Sequence, residues 1–369
     1  MDIPPLRWLD PPDGPAIELL DQTRLPAAET MLTCRDIPSL VDAISRLAVR
    51  GAPLLGVAGA FGVALAAYRG DDVPAAARAI TAARPTAVNL GWGAARVLAA
   101  YRRAQSDSDS NPDSERGGAS AALAEARSLA AEDAAASAAM AAHGLTLIPP
   151  GARILTHCNT GALVSAGEGT AFAVILAAHR AGRLAKLWVD ETRPLLQGAR
   201  LTTYEAHQAG LPYAVLADCA AASLMAAGQV DLVIIGADRI AADGSVANKV
   251  GSYSLAVLAR HHGVPFVVAA PVSTIDFAAP DGAAIVIEHR RSEEVTSYAG
   301  TTVAVAGSDA YNPAFDVTPS ALVSALITER GVAQPVNRGN LRVLEAGCDP
   351  ADGGHETAGG ALTTASMER

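Results

Sequence analysis

The sequence is poor in aromatic residues, sparing with cysteine, and has no run of basic residues. Aromatics make up 4% of the 369 residues. A core must therefore be filled mostly by Ala, Val, Leu and Gly, which favours helices packed closely on a sheet. The formal net charge is −10. Without a Lys/Arg-rich run, this balance argues against a nucleic-acid or anionic-membrane surface. An anion would have to bind in a local pocket of arginines and backbone amides. Cys34, Cys158, Cys219 and Cys348 lie far apart and form no C-x-x-C pair. That excludes a disulfide framework and a zinc pattern, and it suits a reducing cytosol. Met1 to Trp8 carries prolines and charges and no apolar signal region. The uncharged run Gly51 to Tyr68 is rich in Gly and Ala and short of the about 20 apolar residues a membrane span needs. It reads as a buried helix. No G-x-G-x-x-G follows a strand, and there is no P-loop and no G-x-S-x-G. His261-His262 is an adjacent pair without the i, i+4 spacing of a helical metal site. No metal and no cofactor are expected.

Half of the residues are apolar, and the length points to two domains. Residues 5–33 alternate short apolar pieces with turn formers and predict a small antiparallel strand cluster. Helical periodicity dominates from Asp36 to Ala104, beginning with an amphipathic helix over Ser39 to Val49. Gly56, Gly59 and Gly62 fall at three-residue spacing in the next helix, where plain close packing is the favoured reading. Ser106 to Ser120 is polar and predicts a mobile loop or insertion. An Ala-rich helix then runs to His143. Gly144 and Pro149-Pro150-Gly151 punctuate the chain. They separate a strand-and-helix domain, residues 1–148, from a second domain, residues 149–332.

In the second domain, apolar strand-like runs alternate with helices. Strands are expected at Arg153–His157, Lys186–Asp190, Tyr213–Leu216, Asp231–Gly236, Pro265–Ala270 and Ala284–Ile287. Helices are expected near 168–181, 197–209, 219–228 and 248–262, with a last one over Thr318–Arg330. This rhythm is that of an α/β fold with a Rossmann-like parallel sheet covered on both faces. Residues 333–369 predict a disordered tail.

Ligands of open parallel sheets bind outside the carboxyl ends of the strands. Those ends deliver Thr156-His157-Cys158-Asn159, Asp190-Glu191-Thr192-Arg193-Pro194, Gly236-Ala237-Asp238-Arg239 and Pro271-Val272-Ser273-Thr274. Neighbouring strand residues face opposite ways, so His157 and Cys158 are not expected to pair, and His157 reads as structural. Cys158 is either a packed thiol or a site residue. Asp238, after Leu-Val-Ile-Ile-Gly-Ala, is either an acid–base group lifted by an apolar rim or a cap or partner of Arg239. Asn248-Lys249, read as opening a helix, and Arg50-Gly51-Ala52-Pro53 are candidate anion sites.

These segments also carry a resemblance. Val49-Arg50-Gly51-Ala52-Pro53, Arg84-Pro85-Thr86-Ala87-Val88-Asn89-Leu90, Ile154-Leu155-Thr156-His157-Cys158-Asn159 and Asp190 through Thr202 are its first carriers. Gly236-Ala237-Asp238-Arg239-Ile240, Ala247-Asn248-Lys249, Ala270 through Asp276 and Tyr311-Asn312-Pro313-Ala314-Phe315-Asp316 complete it. From about Trp8 to Arg330 the chain resembles the methylthioribose-1-phosphate isomerase family, in the superfamily shared with the α, β and δ subunits of the translation-initiation guanine-nucleotide exchange factor. The resemblance implies an aldose–ketose isomerase of methionine salvage, without cofactor, cytoplasmic and homodimeric, acting on a small sugar phosphate. It implies that Asp238 is the acid–base group and that Cys158 assists the transition state. It implies that Arg50, Gly51, Ala52, Arg84, Gln197, Asn248 and Lys249 hold the substrate. Another 1-phosphorylated pentose as substrate, or a non-catalytic regulatory subunit, are the alternatives. Gly91-Trp92-Gly93 and Asp218-Cys219-Ala220-Ala221 depart from the family pattern, away from the matched catalytic positions.

Overall fold

The computed structural model describes residues 4–106, 114–298 and 300–347. The chain opens with an antiparallel sheet of β1 (Leu6–Leu9), β2 (Ala16–Leu20) and β3 (Met31–Cys34). Five helices follow: α1 (Ile37–Ser45), α2 (Ala52–Arg69), α3 (Val73–Ala83), α4 (Val88–Ser106) and α5 (Ser114–Leu145). Asp36 caps α1 by accepting the Ser39 amide at 2.9 Å, satisfying a donor the helix leaves open. Every residue of α2 from Ala52 to Ala66 is buried, so this apolar helix is the core of the N-terminal region. Its glycines serve packing, as expected. A Cβ at Gly59 would lie 2.7 Å from the Leu90 carbonyl oxygen, and one at Gly93 would lie 2.1 Å from that of Gly56. Small residues thus let α2 and α4 touch backbone to backbone.

The second half runs β4 (Ala152–Thr156), α6 (Ala171–Arg180), β5 (Leu184–Asp190), a π-turn (Gly198–Thr202) leading into α7 (Thr203–Gln208), β6 (Tyr213–Leu216), α8 (Ala221–Ala226) and β7 (Leu232–Ile235). It continues with β8 (Arg239–Ala241), β9 (Val246–Lys249), α9 (Ser252–His261), β10 (Phe266–Ala269), β11 (Ile275–Asp276), α10 (Glu293–Thr296), β12 (Ser297–Tyr298) and β13 (Thr301–Thr302). It closes with β14 (Phe315–Thr318), β15 (Ala325–Thr328), β16 (Gly331–Ala333) and α11 (Arg338–Ala346).

The main sheet has the order β16-β15-β10-β7-β4-β5-β6, parallel except for β16. Successive strands leave β4 in one direction through β5 and β6. They resume on its other side through β7, β10 and β15. This is the doubly wound arrangement, and its order reverses between β4 and β7. Side chains alternate as the pleat requires. Ile154, Leu187, Val189 and Ile234 pack with α6 on one face, while Leu155, Val233, Ile235, Phe266 and Val268 pack with α9 on the other. A smaller sheet, β11-β8-β9-β14, leans on the carboxyl edge.

Several expectations are corrected. Thr318–Arg330 is no helix: it holds the end of β14, a single 3-10 turn and β15, which completes the parallel row beside β10. Ala284–Ile287 is no strand, because Asp281 caps a 3-10 turn there through the Ala283 and Ala284 amides. The disordered tail expected over residues 333–369 is not found over 333–347. Asn337 caps α11, whose Leu341 and Leu344 are fully buried against the sheet. Residues 348–369 lie outside the described residues. Of the expected loop over Ser106–Ser120, Ser106 ends α4 and Ser114–Ser120 begin α5, while 107–113 lie outside the described residues.

Candidate active site

The reversal between β4 and β7 leaves a crevice at the carboxyl edge, and Cys158 and Asp238 follow those two strands. One cavity is lined by Arg50, Gly51, Arg84, Cys158, Gln197, Asp238 and Lys249, together with Leu47, Leu195, Arg290, Ala314 and Phe315. Seven residues singled out in the sequence therefore meet across segments far apart in the chain. Ala52 and Asn248 do not line this cavity. Ala52 is the first residue of α2, behind Gly51. Asn248 and Lys249 do not open a helix: they end β9, and α9 starts at Ser252. Strand alternation turns Asn248 away from Lys249, and its amide donates to the Ser252 hydroxyl at 2.8 Å.

Local backbone geometry explains how these side chains are presented. Among the described residues, four non-glycines have positive φ: Leu47 (65°), Cys158 (64°), Thr192 (64°) and Leu196 (58°). Each costs of order 1–3 kcal/mol, so surrounding structure must enforce it. All four belong to this site. Leu47 and Cys158 line the cavity, and Leu196 lies between the lining residues Leu195 and Gln197. The Thr192 hydroxyl accepts the Cys158 amide at 2.9 Å, and Thr202 donates to the Cys158 carbonyl at 2.6 Å. Gly51 has φ 91°, and a Cβ there would lie 2.2 Å from the Val164 Cβ. Only glycine turns the chain from Arg50 into α2.

The cavity is rich in cations. Arg50 donates from Nη1 to Asn159 Oδ1 at 2.8 Å and from Nη2 to the Cys158 Sγ at 3.5 Å. Arg84 pairs with Glu288 at 3.2 Å, and Glu288 also holds Arg290 at 2.8 Å. Lys249 lies with its ammonium 5.1 Å from the Phe315 ring centre. Burial pushes the Lys249 ammonium below its usual value, although Cys158 and Asp238 draw it back. Burial raises the Cys158 thiol against the pull of Arg50 and Lys249. Burial also raises the Asp238 carboxyl against Lys249, Arg84 and Arg50. Among the described residues no donor hydrogen-bonds the Asp238 carboxylate, and Arg239 pairs instead with Asp276. Asp238 is thus neither a cap nor a partner of Arg239, and its carboxyl remains available to a ligand.

His157 does not pair with Cys158, and both follow the end of β4. Its Nδ1 meets Asp190 Oδ2 and its Nε2 meets the Val250 carbonyl, both at 2.9 Å. It ties the end of β4 to the segment after Lys249. Leu47, Leu195, Arg290, Ala314 and Phe315 escaped the sequence reading as site residues. For Ala314 and Phe315 the signal was present in Tyr311-Asn312-Pro313-Ala314-Phe315-Asp316. A larger cavity, of about 610 Å³, lies between α4, α5 and the loops after β10 and β15. Among its polar walls Arg96 pairs with Glu132, Glu329 accepts the Val272 amide and Asn89 donates to Ser273, while the Asn89 side-chain oxygen has no partner.

A doubly wound sheet with a cationic, acid-bearing pocket at its switch point defines an α/β protein built to act on a small anionic ligand. The chain belongs to the initiation factor 2 subunit family, whose profile matches residues 48–335, and within it to the methylthioribose-1-phosphate isomerases. It is 50% identical over 346 residues to the methylthioribose-1-phosphate isomerase of Pelotomaculum thermopropionicum, covering 91% of this chain and 93% of the relative. It is 49% identical to that of Anaeromyxobacter dehalogenans, covering 89% and 94%. Among solved structures, 5-methylthioribose 1-phosphate isomerase from Pyrococcus horikoshii OT3 matches with TM-score 0.83 and 38% identity over 93% of this chain and 96% of the other. The delta subunit of translation initiation factor eIF-2B from A. fulgidus matches with TM-score 0.77 and 39% identity, over 92% and 99%.

Proposed function

We propose that this chain isomerises 5-methylthioribose 1-phosphate to 5-methylthioribulose 1-phosphate, an aldose–ketose conversion of methionine salvage. The observation that carries this reading is the meeting of Cys158 and Asp238 across the switch point, in a pocket holding Arg50, Arg84 and Lys249. The arginines suit a phosphate. Leu47, Leu195 and Phe315 offer an apolar wall for a thioether. The identity to relatives named for this activity agrees.

A phosphate on the anomeric oxygen blocks spontaneous ring opening. The ring oxygen must gain a proton as its bond to C1 breaks. Asp238, whose carboxyl burial raises, supplies it in its protonated form. Hydrogen then moves from C2 to C1, and C2 becomes the ketone as its hydroxyl proton leaves and restores the acid form of Asp238. Cys158, kept as a thiol by burial, assists beside it. Fixed cations around the small pocket stabilise the charge that develops. The open space there is about 30 Å³, so the walls must part to admit a pentose phosphate. Free Cys34, Cys158 and Cys219 suit a reducing cytoplasm.

Turnover measured side by side on 5-methylthioribose 1-phosphate, 5-deoxyribose 1-phosphate and ribose 1,5-bisphosphate, with ketose followed by NMR, tests the reading. Fastest turnover of the methylthio sugar supports it. Preference for another sugar moves the assignment to that substrate. Binding without turnover of any sugar overturns it in favour of a regulatory sugar-phosphate-binding subunit.

A further inference from the structure

One buried carboxylate near the site has no part in the chemistry above. Glu205, on α7, is 5% exposed. Its Oε1 accepts the Leu163 amide at 2.9 Å, and its Oε2 accepts the side-chain amide of Asn159. The loop after β4 wraps it closely: a Cβ at Gly161 would lie 2.4 Å from either carboxylate oxygen.

The polarity of this chain of contacts is fixed. A guanidinium only donates, so the Asn159 oxygen must face Arg50. The Asn159 amide nitrogen must then face acceptors, and it finds Glu205 and the Thr202 oxygen. The Thr202 proton is committed to the Cys158 carbonyl. Glu205 therefore decides which way Asn159 points, and Asn159 holds the guanidinium whose other nitrogen reaches the Cys158 sulfur. Asn159 is 4% exposed and Arg50 9%, so water is a poor substitute for these partners.

We propose that Glu205 is a positioning residue for the isomerase site: through the Asn159 amide it holds Arg50 against Cys158 and into the substrate pocket. This rests on the assignment of Arg50 and Cys158 to that pocket. Burial raises the Glu205 carboxyl to about 7, while its backbone donors, Asn159 and Arg50 favour the charged form. The acceptor role needs both oxygens.

Glu205→Gln tests it. Glutamine has one oxygen for two donors. With that oxygen on the Leu163 amide, its NH2 faces the NH2 of Asn159. Asn159 relieves the clash by turning over, which sets its NH2 against Arg50. The double variant Glu205→Gln/Asn159→Asp repairs the polarity, because a carboxylate at position 159 accepts both from the new amide at position 205 and from Arg50. Two readouts are taken on full-length protein. The first is the pH profile of iodoacetamide alkylation at Cys158, quantified by peptide mass spectrometry, which needs no substrate. The second is KM and kcat with 5-methylthioribose 1-phosphate.

Withdrawing Arg50 raises the thiol further and should slow Cys158 alkylation at pH 8 roughly tenfold, the equivalent of one pKa unit. KM should rise by a similar factor with a smaller change in kcat, and the double variant should recover both. An unchanged alkylation profile and KM in Glu205→Gln overturns the proposal. So does a double variant as impaired as the single one. If Glu205→Gln does not fold, Glu205→Asp replaces it. Aspartate keeps the charge but is too short to reach both donors, so it should show the same shifts at reduced size, and its equality with the wild type overturns the proposal. The alkylation pattern can appear in a protein that turns over no methylthio sugar, which would refute the substrate assignment and leave the positioning role standing.

Discussion

Replacing His157 by alanine should be among the costliest changes in the molecule outside its apolar core. The His157 and Asp190 side chains are each 1% exposed. The Val250 carbonyl can only accept, so Nε2 carries a proton, and a single further proton is shared between Nδ1 and Asp190 Oδ2. Burial lowers the His157 imidazolium, but Asp190, with Asp218 and the Val250 carbonyl, more than offsets it and the ring ends raised. Asp190 Oδ1 has no hydrogen-bond partner. Alanine at 157 therefore leaves Asp190 with neither oxygen paired. Breaking a buried pair in this way costs about 3–5 kcal/mol. Asp190→Asn should cost only about 1 kcal/mol, because an amide NH2 can donate to Nδ1 of a neutral ring. The sign of the pH dependence follows from the orphaned carboxyl. Its folded-state pKa is raised, so the stability it contributes is full below about pH 4 and is lost as pH rises. The raised His157 ring gives its own stability at low pH, and that is lost only above its ordinary value near 6.5. The orphaned carboxyl loses stability from about pH 4 upward, so the deficit of His157→Ala should be larger at pH 7.5 than at pH 5. Urea denaturation of both variants at the two pH values measures this. A loss below about 1 kcal/mol at neutral pH, or Asp190→Asn as costly as His157→Ala, would refute the reasoning.

The remaining expectations concern the site and its thiols. Gly51→Ala combines a disfavoured φ with the Val164 clash and should destabilise by about 2 kcal/mol or more, seen as a lowered melting temperature with weaker sugar-phosphate binding. Iodoacetamide at pH 7 should label exposed Cys219 well ahead of buried Cys34 and Cys158, read by peptide mapping. A protonated Asp238 is the active form in the proposed mechanism, so kcat should be maintained to pH values above the ordinary carboxyl range and fall as pH rises further. A rate that instead rises with pH through that region would assign Asp238 the role of base.

The alternating apolar runs were enough to read the parallel sheet, because strands such as Leu232–Ile235 and Phe266–Ala269 are buried on both faces and leave no helical period. The strand-end rule then pointed to Cys158 and Asp238. The run Ala321 to Thr328 misled because a short apolar stretch of Ala, Leu, Val and Ile carries no decisive period. Its state is set by the open edge of β10, a partner far away in sequence. The helix Arg338–Ala346 was hidden by the polar, glycine-rich composition of the stretch around it. Its Asn337 cap and the Leu341 and Leu344 pair were the available signals. Lys249 was singled out for the right pocket on the wrong element. The antiparallel partner β14, which makes Val246–Lys249 a strand, begins only at Phe315. Glu205 was not legible at all, since its importance comes from Asn159 and Arg50 on two other segments.

In the proposed mechanism Asp238 supplies the proton that opens the sugar ring. The direct measurement is the rate of 5-methylthioribulose 1-phosphate formation by Asp238→Asn against the unaltered protein, on samples of matched melting temperature and matched substrate affinity. Losing a positioned general acid predicts a fall in kcat of about 10²–10⁴-fold. Turnover by Asp238→Asn within a few-fold of the unaltered protein would mean that Asp238 is not the proton donor.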